Sequence, residues 1–416
     1  MRMKFNKTSQ LLLVSAASLL AAGLMTACGT DTVDFVYVAS SQAAGTNNYG
    51  EIDVFEINSV SGFMRQIPTS PFPSGGRNPV AEAVSGDYSN LYVVNKDDNT
   101  IVQFMIGSDG KLYPQNTVNT PGIFPLAVAV HGSNLFVVDT YQPLPSCSSA
   151  SPCSGSVGVF PLAAASGTGS SATSGGAPGS PVVNPGNSAD YWPLTLSGNS
   201  SSDILLPTGV NVLASGAYLY VTAYDSTANT GYVFGFTIGT GGVLSAVSGS
   251  PFAVGVHPSA ISSDSTSSYV YVADSTSGNV RGYSVASGLL SPLSGSPYPA
   301  GNQPSAIAVD PKYPFVYVAN SLDGNVSAYS IGNSGALTSV GTYTAGIDPV
   351  AIGIDPGTDH FVFTVNFLSN GANGTVSDFE MSTTAGTLIN TQHSPYTSNA
   401  LPTAVAAVPH DGGKPQ

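Results

Sequence analysis

The sequence predicts an all-β fold, a seven-bladed β-propeller of four-stranded antiparallel blades, on three observations. An aromatic-centred strand pattern recurs seven times, each copy holds four short β-type runs, and the chain ends on a strand of the type its first copy lacks. The clearest copies are Tyr269-Val270-Tyr271-Val272-Ala273-Asp274 and Phe315-Val316-Tyr317-Val318-Ala319-Asn320, each followed by Gly-Asn-Val and an alternating strand. Anchors at the same place are Tyr37, Tyr92, Phe136, Tyr220, Tyr271, Tyr317 and Phe363, at spacings of 55, 44, 84, 51, 46 and 46 residues. A four-strand unit repeated at roughly 45 residues is the propeller signature. The long spacing spans a Ser/Gly-rich stretch, 163–180, which reads as an inserted loop, so no eighth blade is required.

Within a unit the strands follow in order: a Pro-led strand such as Pro304 to Val309, the aromatic strand, a strand such as Asn325 to Ile331, and a fourth near Leu337 to Tyr343. Turn residues such as Asp323-Gly324 separate them. The first unit begins at its aromatic strand, Phe35 to Ser40, and the chain ends on the unpartnered Pro-led run Pro402 to Val408. That last strand is therefore expected to complete blade 1 and remove the open sheet edge.

The N-terminus carries Arg2, Lys4 and Lys7, then an apolar run from Leu11 to Leu24, then Met25-Thr26-Ala27-Cys28. This is the pattern of a secretory signal, and the run is shorter than the ~20 residues a spanning helix needs. Leu24 to Cys28 resembles a bacterial lipobox, which implies cleavage before Cys28, acylation of that cysteine, and export to the cell envelope. Gly29 after it, by similarity to proteobacterial lipoproteins, favours the outer membrane. The expected organisation is a signal peptide at 1–27, a tether at 28–33, the propeller at 34–409 and a tail at 410–416.

Losing the signal leaves 24 acidic residues against seven cations, a formal charge of −17 instead of −14. Nucleic acid and anionic membrane surfaces are poor partners for such a chain. Membrane contact is expected through the lipid alone, and the folded part is expected to be a monomer. Cys147 and Cys153, six apart in one loop, are expected to form a disulfide in an oxidising compartment. No Cys-x-x-Cys, His-Glu-x-x-His, Gly-x-Ser-x-Gly, phosphate-binding loop or EF-hand string occurs, so no cofactor or metal is expected.

The Tyr-Val-Ala-Asn/Asp strands followed by Gly-Asn-Val resemble YVTN-type repeats and the seven-bladed lactonase-like propellers. The stretch Asn78-Pro79-Val80 through Leu91-Tyr92-Val93-Val94-Asn95 to Gly110-Lys111-Leu112 resembles the second blade of bacterial 6-phosphogluconolactonase-type proteins. The resemblance implies the fold over 35–408. It does not carry the activity across: the fourth blade opens Leu206-Pro207-Thr208-Gly209-Val210, where those lactonases have Pro-His-x-His, and the third opens Pro125-Leu126-Ala127 without their histidine.

Comparing the chain with itself separates architecture from site. The Asn or Asp ending the aromatic strand (Asn95, Asp139, Asp274, Asn320, Asn366) recurs, which marks it as a group bonding turn backbone. The residues before the seven prolines are Asn78, Phe124, Leu206, His257, Gln303, Asp348 and Leu401, dissimilar as an asymmetric pocket requires. His257 is the single histidine of that ring and a candidate acid or base; a solvated capping histidine is the alternative. Glu82 breaks a position that Val128, Val210, Ile261, Ile307, Ile352 and Val405 fill with hydrocarbon. Arg77 lies in the loop entering its strand and Lys96 in the loop leaving the aromatic strand of the same blade, which flank one face, so Glu82 as base, with Arg77, Lys96, Asn78, Gln303 and Asp348 as ligand contacts, is one reading, and a local salt bridge is the other. These residues support a propeller that binds a small ligand or an envelope protein. Hydrolysis of a sugar lactone or similar cyclic ester, a carboxylic-ester hydrolase activity, is the first alternative, and a structural lipoprotein of the envelope the second.

Overall fold

The computed structural model describes residues 32–41, 48–58, 61–165, 175–196, 203–357, 361–368 and 373–409. The expected signal peptide at 1–27, Cys28 and the centre of the expected inserted loop lie outside them. Seven antiparallel sheets are formed, one per repeat, and in blades 2 to 7 the strands run from innermost to outermost in chain order. In blade 6 the strands are Pro304–Val309, Phe315–Asn320, Asn325–Ile331 and Leu337–Thr344. The ring closes through its last strand, Leu401–Pro409, which pairs antiparallel with Thr32–Ser41 and supplies the innermost strand of blade 1. Each innermost strand also meets that of the next blade, so the seven form a continuous channel wall.

Every innermost strand carries the same irregularity. The pairing skips the residue after the proline: Val80, Leu126, Thr208, Ser259, Ser305, Val350 and Thr403 are each left out of the ladder. Such a bulge frees a side chain from the sheet face. Three of these are hydroxyl residues that bond the next blade: Ser259 Oγ donates to the Pro304 carbonyl (2.6 Å), Ser305 Oγ to Pro349 (2.6 Å) and Thr403 Oγ1 to Pro79 (2.7 Å).

The aromatic anchors are buried between blades, and five also latch them. Tyr37, Tyr92, Tyr220, Tyr271 and Tyr317 donate their hydroxyls to the carbonyls of Gly110, Gly176, Gly288, Gly335 and Gly386 in the following blade, at 2.7–3.1 Å. Each of those glycines has positive φ. At Gly110 and Gly335 an added Cβ would also lie within 2.5 Å of the Phe35 or Tyr269 ring, so only glycine brings the outer hairpin close enough to accept the bond. Burial raises the hydroxyl pKa of all five tyrosines, which stay neutral donors.

Cys147 and Cys153 are joined, as expected. Their loop leaves the second strand of blade 3, Asn134–Tyr141, on the face where all seven prolines enter. That face is called the top. The strands Thr32–Ser41 and Leu401–Pro409 meet at their far ends, Asp34 opposite Pro409, so both ends of the propeller leave from the bottom.

Candidate functional site

The top face is built by one device used repeatedly. The residue after the aromatic strand donates its backbone N–H to the carbonyl of the residue before the proline: Lys96 to Asn78, Ser275 to His257, Ser321 to Gln303. Side chains reinforce it, with Thr140 Oγ1 on the Phe124 carbonyl at 2.6 Å. Asn78, Phe124, Gln303 and Asp348 are held at φ between 53° and 57°, and a bulky residue such as Phe accepts that region only where its surroundings enforce it. All seven prolines are buried while the seven residues before them are at least partly exposed. A repeated proline-led entry thus presents six kinds of side chain at seven positions around the mouth.

The recurring polar group below them is architecture. Asp274 accepts from Val256 N (2.9 Å), His257 N (3.3 Å), Ser277 N (3.1 Å) and Ser277 Oγ (2.8 Å), and these bonds hold its carboxyl below the usual range despite burial. Asn320 Oδ1 accepts from Gly301 N, and Asp139 Oδ2 from Gly122 N. Asp139 has fewer donors, and burial pushes it up to about 7.

The expected cluster around Glu82 is not assembled. The register does place Glu82 opposite Val93, equivalent to the pairs Val128 with Val137 and Ile307 with Val318. In a propeller, however, alternate side chains of a strand enter the seams between blades, and Glu82 enters the seam with blade 1. Its carboxyl lies near Tyr37, and the N–H groups of Ala406 and Ala39 temper its burial without reaching hydrogen-bonding geometry. Both oxygens are shut from solvent, and burial raises its pKa well above the ordinary value, which favours the neutral acid. The expected ion pair with Arg77 or Lys96 is absent among the described residues. Arg77 turns outward to Asp98, which also accepts its backbone N–H at 2.7 Å. Asn302 and Asp323 repeat that arrangement in blade 6, again at 2.7 Å, which identifies the Arg77 contact as part of the repeat. Lys96 is partly exposed and forms no ion pair among the described residues.

His257 does stand at the mouth, and it is engaged. Its Nδ1 lies 2.8 Å from Ser275 Oγ, and its ring packs on Tyr224 with centroids 4.0 Å apart. Ser275 Oγ also donates to the His257 carbonyl at 3.1 Å, which leaves Nδ1 as the donor and Nε2 with the open lone pair. Burial lowers its pKa, so the ring is neutral at pH 7. Asp348 is raised by partial burial. Tyr224 and Ser275 carry no signal in the sequence, because neither belongs to the ring before the prolines. At the position of the lactonase histidines, Thr208 donates to Thr222 Oγ1 at 2.9 Å, a contact without acid–base chemistry. His131 pairs with Asn134 at the first turn of blade 3, on the bottom.

Comparison with known proteins agrees with this geometry. The family described as "Lactonase, 7-bladed beta-propeller" matches residues 289–405. No curated protein matches. Among solved structures, a putative 6-phosphogluconolactonase from Bacteroides fragilis is similar at TM-score 0.69 and 19% identity, covering 91% of this chain and 99% of that one. The periplasmic gluconolactonase of Pseudomonas aeruginosa is similar at TM-score 0.67 and 18% identity, with the same coverage of 91% and 99%. A hypothetical selenium-binding protein from Sulfolobus tokodaii shares the architecture at TM-score 0.60 and 11% identity, covering 93% and 95%. Identities this low speak to the fold.

Proposed function

We propose that this chain, a seven-bladed propeller with the lactonase-family pattern in its C-terminal blades, is a lipid-tethered envelope protein that binds a small ligand at its top-face mouth. The observation that carries the reading is the ring Asn78, Phe124, Leu206, His257, Gln303, Asp348 and Leu401, six residue types at seven equivalent positions, four of them held at positive φ. Architecture alone would repeat one residue type there, as it does for the prolines and the tyrosines. Acylation at Cys28 agrees with the topology, because the first described strand starts on the bottom face, four residues beyond that cysteine. A span of ~14 Å would hold the bottom near the lipid and turn the mouth away from it.

Lactone hydrolysis is the second reading, favoured by the neutral imidazole of His257 with Nε2 open. That group would serve as a base toward a water attacking a cyclic ester. Glu82, shut in its seam, takes no part in either reading. A panel of sugar lactones and sugars, screened for binding and for turnover, tests them. Binding without hydrolysis, weakened tenfold or more by Gln303→Ala or Asp348→Ala, supports the binding protein, and turnover abolished by His257→Gln supports the hydrolase. Absence of both defeats the proposal. For the tether, mass spectrometry should find an acylated Cys28, and Cys28→Ser should release the protein from membranes.

A further inference from the structure

Superposing the third strands of the blades exposes one cation. Residues opposite the centre of each aromatic strand are Asp53, Val102, Gly158, Phe234, Arg281, Ser327 and Ser377. Asp53 has an evident duty: it accepts from Ser398 Oγ, Asn399 N, Asn399 Nδ2 and Gln66 Nε2, tying down the loop that feeds the closing strand. Arg281 has none of that kind. It shares a side of its strand with Tyr283, which belongs to one core cluster with Tyr220 and Val233 of blade 4, so its side chain enters the upper part of the seam between blades 4 and 5. Its Nε forms an ion pair with the buried Asp274 Oδ2 at 3.6 Å, a separation beyond hydrogen-bond reach.

Asp274 does not require it. That carboxylate already has four donors, and Asp139, the other acid in the same slot, has no cation beside it. Arg281 forms no hydrogen bond among the described residues; beyond the long ion pair to Asp274, its buried Nε has no hydrogen-bond partner, while 28% of the side chain stays exposed. The other arginines among the described residues are in hydrogen-bonded ion pairs, Arg65 with Glu56 and Arg77 with Asp98. The loop carrying His257 lies directly on this group: a Cβ on Gly255 would stand 2.0 Å from Asp274 Oδ2 and 2.6 Å from Arg281 Nε.

We propose that Arg281, together with His257 and Tyr224, forms a subsite for the carboxylate of a small organic acid at the top of the seam between blades 4 and 5. The proposal rests on the reading that the top face binds a small ligand, and it names the ligand's chemistry. A guanidinium with unused donors is matched by a planar monoanion, which accepts two parallel N–H bonds. A phosphate dianion is a poorer fit, because one arginine faces it and the neighbouring imidazole is neutral. The Tyr224 and His257 rings, in contact at a 46° tilt, offer an apolar surface for the carbon skeleton of the acid.

Calorimetric titration of the full mature protein with gluconate, malate, glucose and inorganic phosphate tests this. Gluconate or malate should bind, weaken as salt rises, and lose ~10- to 100-fold in affinity in Arg281→Gln, the size of a charge-assisted fork. Arg281→Lys, which keeps the charge and loses the fork, should fall between. It serves as the reporter should the Gln variant not fold. Carboxylate binding unchanged in these variants overturns the subsite while leaving the mouth as a binding face. Tighter binding of phosphate through Arg281 overturns the ligand class. A panel in which nothing binds defeats the subsite and the binding reading together.

Discussion

Glu82 is a carboxyl where six equivalent positions hold Val or Ile, and its burial without a partner makes it a cost to the fold. A buried ionisable group without a hydrogen bond is commonly replaced by hydrocarbon at no loss of stability or with a gain. Glu82→Val should therefore stabilise the protein by about 1–2 kcal/mol in chemical denaturation, and Glu82→Gln should remove the pH dependence that Glu82 contributes. A Glu82→Val protein that melts lower would show an unrecognised partner for the carboxyl. The tyrosine latches run the other way. Tyr271→Phe keeps the ring and deletes one buried bond to Gly335, so it should cost about 1 kcal/mol. Phe136 and Phe363 already stand at that position without a hydroxyl, which fits so modest a contribution.

The closing strand depends on more than its ladder. Leu401–Pro409 pairs with Thr32–Ser41, contributes Val408 and Ala404 to the core, and is held at its entrance by Asp53 and by the Thr403 bond to Pro79. Truncation before Leu401 would leave the edge of blade 1 unpaired and expose its seams to blades 2 and 7. Aggregation, or a loss of several kcal/mol of apolar burial, is the expected outcome by melting and light scattering. Unchanged melting would contradict the closure. The aromatic strands and this last strand are legible in the sequence because a period-2 pattern, repeated in every blade, fixes both their position and their pairing.

At the scale of the whole ring, buried acids set the response to pH. Glu51 and Asp139 are each pushed up to about 7, and Asp53, Glu82 and Asp378 are also raised, all chiefly by burial. A group whose folded pKa exceeds its unfolded value contributes stability that is complete below the unfolded pKa, near 4, and is lost as pH rises through the folded one. Asp87, Asp225 and Asp274 are lowered and act oppositely, losing their contribution as pH falls below about 4. Thermal stability should therefore peak between about pH 4 and 6 and decline toward pH 8. The net charge of −14 adds self-repulsion in the same direction. A melting temperature that rises from pH 5 to pH 8 would contradict this assignment of the buried acids.

The sequence by itself determined the number of blades, the strands of each, the closing partner of blade 1, the disulfide between Cys147 and Cys153, and the anomaly at Glu82. All of these are local or periodic: they are written in the order of residues along one strand or one loop. Only the tertiary structure decided where the unusual side chains go. Glu82 meets Ala406 across 324 positions of sequence, Arg77 turns from it to Asp98, and Arg281 arrives beneath the His257 loop from two strands away. The physical reason is that a propeller's strands hydrogen-bond within a blade, whereas their side chains pack between blades. A repeat encodes the first relation at every period. The second depends on which seam a side chain enters and what the neighbouring blade already places there.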